Sequence, residues 1–149
     1  MIPSNLPFID KYKPITLQSI QGQSSAIQVL RSAVASKKPA LVYGPVGCGK
    51  TASIYALAHD MDYEIIEINA SDVRNKEAIN TIIGSSLHQM SLFAKGKIIL
   101  VDEVDGIAGN QDRGGVPALV ELLATAKQAV VMTANDPWDS KFTPLRKIS

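Results

Sequence analysis

Two stretches of the chain bring together residue types that can do chemistry. The first, Gly44-Pro45-Val46-Gly47-Cys48-Gly49-Lys50-Thr51, satisfies G-x-x-x-x-G-K-[ST] at every position. Its glycines permit a turn in which successive backbone N–H groups face phosphate oxygens. Lys50 can carry a flexible cation to the β- and γ-phosphates, and the Thr51 hydroxyl can ligate Mg²⁺. A helix opening at Lys50 adds its positive end to the same place. Cys48 reads as a small side chain tolerated inside this tight loop. The second stretch, Asp102-Glu103-Val104-Asp105-Gly106, places three carboxylates within four residues, directly after the apolar run Ile98 to Val101.

An apolar strand that closes in Asp-Glu, downstream of a phosphate loop, supplies the other half of an ATP-hydrolysing site. Asp102 is expected to hold Mg²⁺ and Glu103 to orient and deprotonate the attacking water. Asp105 falls past the strand end and reads as a turn carboxylate capping local N–H groups. An EF-hand loop is excluded, because the acidic spacing and the closing glutamate are missing. Asn135 follows a further apolar run; its amide can hydrogen-bond both a γ-phosphate and the attacking water. Alone it would read as a turn residue before Asp136-Pro137, but beside the other two motifs it becomes the third member of the site. The catalytic set is therefore Lys50, Asp102, Glu103 and Asn135, with Thr51 and Asp102 as metal ligands.

These groups must be positioned by alternating strands and helices. From Ser24, Ile27, Leu30 and Val34 recur at helical spacing, and the pattern stops near Lys37-Lys38-Pro39. Ala40 to Tyr43 reads as a short strand leading into the phosphate loop, and Ile54, Leu57 and Ala58 mark one face of the helix after it. Tyr63 to Asn69 reads as a buried strand, and Ile79, Ile82, Ile83, Leu87 and Met90 as a helical stripe. Ile98 to Val101 lacks polar alternation, as expected of a strand covered on both faces. Val116 to Lys127 reads as a helix with Pro117 in its first turn, and Ala129 to Thr133 as a strand. The pattern predicts an α/β domain: a mainly parallel sheet flanked by helices. Residues 1–22 read as an extended segment, residues 23–149 as the core, and SKFTPLRKIS at the end as a connector.

Composition excludes some alternatives. The chain has 149 residues, 46% of them apolar and 19% charged, with a net charge of +1. That suits one domain with a real core, and any nucleic-acid surface on it must be a local patch. One cysteine cannot form an intrachain disulfide. The N-terminus shows no signal-peptide core, and no run approaches a membrane span. A cytoplasmic, nucleoid-associated location is the expectation.

In combination the motifs resemble the AAA+ type of P-loop ATPase and, more closely, the large-subunit family of archaeal replication factor C clamp loaders. The resemblance rests on Pro7 to Pro14 with Ile20-Gln21-Gly22, the phosphate loop, EIIEINASDVRN (Glu64 to Asn75), KIILVDEVDG (Lys97 to Gly106), DRGG (Asp112 to Gly115) and TANDPWD (Thr133 to Asp139), in the family's order. Phe8 stands where tryptophan is usual, and Val46 where proline is usual. The resemblance implies an ATP-driven machine that assembles with replication factor C small subunits, opens the sliding clamp and loads it at primer–template DNA. Nucleotide contacts are then expected from Tyr12 and Ile20 on the adenine side and from Gly44, Pro45, Val46, Gly47, Cys48, Gly49, Lys50 and Thr51. Arg74, behind Ser71 at a helix start, and Arg113 are candidates for DNA phosphates, and Gln89, Leu92 and Phe93 for the clamp.

Small clamp-loader subunits end this region in Ser-Arg-Cys, whose arginine reaches a neighbour's ATP; here Lys147-Ile148-Ser149 stand in those positions. A subunit that receives such an arginine and donates none is implied, with slow hydrolysis in isolation. The family's helical lid and collar do not fit within 149 residues, so a core cut before them is expected. A helicase-like or initiator AAA+ motor, and a non-hydrolysing nucleotide-binding scaffold, are the competing readings.

Overall fold

The computed structural model describes residues 14–70, 94–107 and 115–149. A 3-10 turn, Leu17–Ser19, precedes helix α1 (Ser24–Ala35) and strand β1 (Ala40–Tyr43). Helix α2 (Lys50–Met61) leads to β2 (Tyr63–Asn69). After β3 (Gly96–Asp102) come a 3-10 turn, Val104–Ile107, helix α3 (Gly115–Thr125) and β4 (Ala129–Ala134). A last 3-10 turn, Ser140–Phe142, runs into the short helix α4 (Thr143–Ile148).

The four strands form a parallel sheet in the order β1-β4-β3-β2. Parallel neighbours need crossovers rather than hairpins; among the described residues, α2 separates β1 from β2 in sequence and α3 separates β3 from β4. Side chains alternate faces along a strand, and the two hydrophobic clusters divide accordingly. Ile98 and Leu100 of β3, with Ala129 and Val131 of β4, pack against Leu30 and Val34 of α1 and Ile54, Leu57 and Ala58 of α2. Ile99, Val101, Val130 and Met132 point the other way, onto Leu119, Leu122 and Leu123 of α3 and onto Phe142 and Leu145. The absence of polar alternation in the two central strands is thus a direct result of their double coverage.

Three expectations need correcting. The terminal SKFTPLRKIS is no connector: Phe142 and Leu145 are buried in the core, and Pro144 sits at the start of α4, where its missing N–H costs little. Strand β2 is less buried than expected. Only Ile68 is fully buried within it, because β2 is the last strand of the described sheet and pairs with β3 alone. Helix α3 starts one residue earlier and ends two residues earlier than expected, its last turn closed by Ala126 N–H to Leu122 O. The stripe Ile79 to Met90 lies outside the described residues.

One glycine is fixed by a close approach. Gly96 is the register partner of Tyr63, and a Cβ built there would lie 2.7 Å from the Tyr63 ring. The strand pair can form at this spacing only because position 96 has no side chain.

The two apolar classes on the helices predict opposite outcomes. Leu57 is fully buried, whereas Val29 on α1 is 71% exposed. Leu57→Ala should cost about 2–5 kcal/mol of unfolding free energy, and Val29→Ala should stay within about 0.5 kcal/mol. Chemical denaturation of the two variants decides the assignment.

Candidate functional site

The three motifs converge where the sheet order predicts, at the carboxyl ends of adjacent parallel strands. The phosphate loop leaves β1, Asp102 ends β3, and Asn135 follows β4, which lies between them. Gly44 N–H donates to Ala134 O at 3.2 Å, tying the loop to the end of β4. Gly47 and Gly49 have φ of +79° and +90°, a left-handed backbone that glycine adopts without steric penalty. Gly49 is also the residue before α2, and no side chain caps that helix end. Its first N–H groups therefore face outward into the loop, as an anion site requires.

Lys50 bridges the loop and the far strand. Its Nζ donates to Gly44 O at 2.9 Å, to Pro45 O at 3.0 Å and to Asn135 Oδ1 at 2.9 Å. The Thr51 hydroxyl donates to Asp102 at 3.2 Å (Oδ1) and 3.4 Å (Oδ2). Lys50, Thr51, Asp102 and Asn135, from three separate places in the chain, thus form one set: two hydrogen-bonded pairs joined through the Lys50–Thr51 peptide. Thr51 and Asp102 offer hard oxygen donors side by side, the donor type that Mg²⁺ takes, so the residues present fit that ion. The Cys48 sulfur lies close against the start of the loop: a Cβ on Gly44 would sit 3.1 Å from it. A cleft of about 630 Å³ opens beside the loop, lined by Gly44, Pro45, Cys48, Gly49 and Lys50 together with residues of α1 and β1. Its size is within the usual range of small-ligand sites. Ile20 is not among the residues lining that cleft; its N–H closes the Leu17–Ser19 turn, and Leu17 N–H is held by Asp60 at the far end of α2. Val46 is exposed at the loop tip.

Asp105 differs from expectation. Its carboxylate does not cap the local turn; Oδ2 accepts the Asn135 N–H at 3.0 Å, thirty residues away. The acid therefore fixes the backbone of the residue whose side chain meets Lys50. Sequence reasoning also passed over Thr133, which is fully buried and hydrogen-bonds both Glu103 N–H and Asp102. Its signal was present: a lone hydroxyl in an otherwise apolar strand must find a buried partner. Glu103 is exposed, and its φ is +56°.

Arg146 donates to Pro137 O, Asp139 O and Thr143 Oγ1 and lies 5.4 Å from the Trp138 ring centroid. Trp138 in turn meets Tyr43 edge-on. Arg146, one residue before Lys147-Ile148-Ser149, is thus held against its own chain. Tyr12, Arg74, Gln89, Leu92, Phe93 and Arg113 lie outside the described residues.

Beside Asp102, the Tyr55 hydroxyl donates to Glu67. Partial burial, that hydrogen bond and the nearby Glu67 and Asp102 charges push the Tyr55 phenol up from 10.0 to about 12. The folded state therefore holds this proton more tightly than the unfolded chain. The stability that protonated Tyr55 contributes is intact below pH 10 and lost as pH approaches 12. Tyr55→Phe should flatten that part of the stability–pH curve and remove a late-titrating component from the phenolate absorbance. For Asp105, alanine should cost about 1–3 kcal/mol by leaving the Asn135 N–H without its acceptor, and asparagine less, because its amide oxygen still accepts. Denaturation of both variants measures the difference.

Residues 40–146 match the model of the ATPase family associated with various cellular activities (AAA). The chain is 47% identical to the replication factor C large subunit of Nanoarchaeum equitans, over 99% of this chain and 36% of that protein. It is 48% identical to the Staphylothermus marinus replication factor C large subunit, over 99% of this chain and 37% of that protein. With the Thermofilum pendens replication factor C large subunit it shares 43% identity, over 96% of this chain and 37% of that protein. The chain thus spans little more than a third of the curated relatives it matches. The phosphate loop, the Asp102-Glu103 pair and Asn135 all fall within the matched span, and the chain belongs to the AAA ATPase family.

Proposed function

We propose that this chain is the ATP-binding and ATP-hydrolysing part of a replication factor C large subunit, acting with small subunits to open a sliding clamp and load it onto primed DNA. The observation that carries the ATPase reading is the connected set Lys50, Thr51, Asp102 and Asn135. The likeness to three named replication factor C large subunits supports the clamp-loading role.

Each residue then has one task. The loop N–H groups and the α2 amino end bind the phosphates, and Lys50 exchanges its contacts with Gly44 O, Pro45 O and Asn135 Oδ1 for phosphate oxygens. Thr51 and Asp102 would hold Mg²⁺, which supplies charge to offset that of the phosphates. Asn135 orients a water at the γ-phosphate, and Glu103 takes its proton. Asp105 keeps Asn135 in place. Ile148 stands where small subunits carry the donated arginine, and Arg146 is engaged within its own chain; both fit a subunit that receives a neighbour's arginine and hydrolyses slowly alone.

Glu103→Gln should bind ATP like the parent chain and turn it over at least about 100-fold more slowly. The parent's rate should rise on adding small subunits, clamp and primed DNA. Equal turnover in the two proteins would remove Glu103 from its role, and a parent rate indifferent to those partners would remove the clamp-loading assignment.

A further inference from the structure

We infer that the Thr133 hydroxyl is the positioning residue for both hydrolytic carboxylates; this rests on the ATPase reading above. Thr133 lies near the end of β4, paired with Val42 of β1, and has no exposed surface. Its Oγ1 donates to Asp102 Oδ1 and accepts from Glu103 N–H at 2.9 Å. A hydroxyl has one proton to give. The carboxylate can only accept and the amide can only donate, so the direction of both bonds is fixed.

The second bond falls where the backbone needs it. Glu103 has φ +56°, a left-handed conformation that side-chain-bearing residues avoid. Such a residue persists where its surroundings hold it, and these residues gather at functional sites. The β-ladder from β3 to β4 pairs Val101 with Met132 at its carboxyl end. Beyond it, the tie between the two strands is made by the Thr133 side chain. The left-handed turn at Glu103 ends the strand and sends its side chain outward to solvent, while Asp102 stays in the sheet facing Thr51. One hydroxyl thereby separates two adjacent acids into different tasks. It engages Asp102 Oδ1 alone, whereas the Thr51 hydroxyl faces both oxygens of that carboxylate.

The test compares Thr133→Val, which keeps the branched shape and removes the hydroxyl, with Thr133→Ser, which keeps the hydroxyl. Three readouts are taken on the same preparations: amide hydrogen exchange at Glu103 by NMR, affinity for a fluorescent ATP analogue, and ATP turnover under the conditions that give the parent its highest rate. Valine should speed Glu103 exchange about tenfold or more. It should lower kcat by about 10–100-fold with KM and nucleotide affinity unchanged within about twofold, and serine should restore all three. Parent-like exchange and kcat in the valine variant would overturn the inference. So would a rise in KM with kcat intact, because that would make Thr133 a binding residue only. If valine unfolds the chain, Thr133→Ala takes its place with the same expected and opposing results. If the parent itself shows no turnover, the hydrolysis reading fails, and exchange at Glu103 still decides whether Thr133 holds that backbone.

Discussion

Strand β4 is buried along its whole length, and that constraint organises the rest of the molecule. It pairs on one side with the strand that launches the phosphate loop and on the other with the strand that ends in the acids. Its alternate side chains complete both hydrophobic clusters. A strand so enclosed can carry a polar group only if that group is satisfied within the protein, since an orphaned buried hydroxyl costs about 1–3 kcal/mol. Thr133 meets the condition through Asp102 and Glu103, and Asn135, one step beyond the strand, through Asp105 and Lys50. The burial that stabilises the sheet therefore also dictates where the reactive groups stand.

The site is pre-organised in a specific sense. Lys50 does not wave in solvent; three oxygens hold its ammonium at the mouth of the loop. On the proposed ATPase reading, a phosphate arriving there would replace acceptors the cation already has. The same holds for Thr51 and Asp102, which face each other in hydrogen-bonding contact. Fixing such groups before the ligand arrives reduces the conformational entropy that binding must offset.

Much of this could be read from the chain itself, for identifiable reasons. The phosphate loop is legible because its glycines and its Lys-Thr pair answer local demands that few other residue types meet. Ile98 to Val101 is legible because double coverage removes every polar residue from the run. Leu30, Val34, Ile54 and Leu57 are legible because a helix repeats its buried face every three or four positions. What escaped depends on the partner across the fold. Nothing near Asp105 announces that its acceptor role is filled from position 135. Thr133 looks like an ordinary strand residue until Asp102 and Glu103 are brought beside it. Phe142 and Leu145 are too few and too close to Pro144 to show a period, so α4 looked like a linker. The shallow burial of β2 follows from its place in the sheet order, which no local pattern encodes.

The arginine fastened beneath Trp138 has a mechanical consequence. Pro137 O, Asp139 O and Thr143 Oγ1 are gripped by one guanidinium, so the bend leaving the sheet and the opening of α4 form one stiff bracket. Asn135 stands at the bracket's near end, and Leu145, fully buried, anchors its far end in the core. The bend and the opening of α4 therefore cannot separate without breaking the bonds of that one side chain.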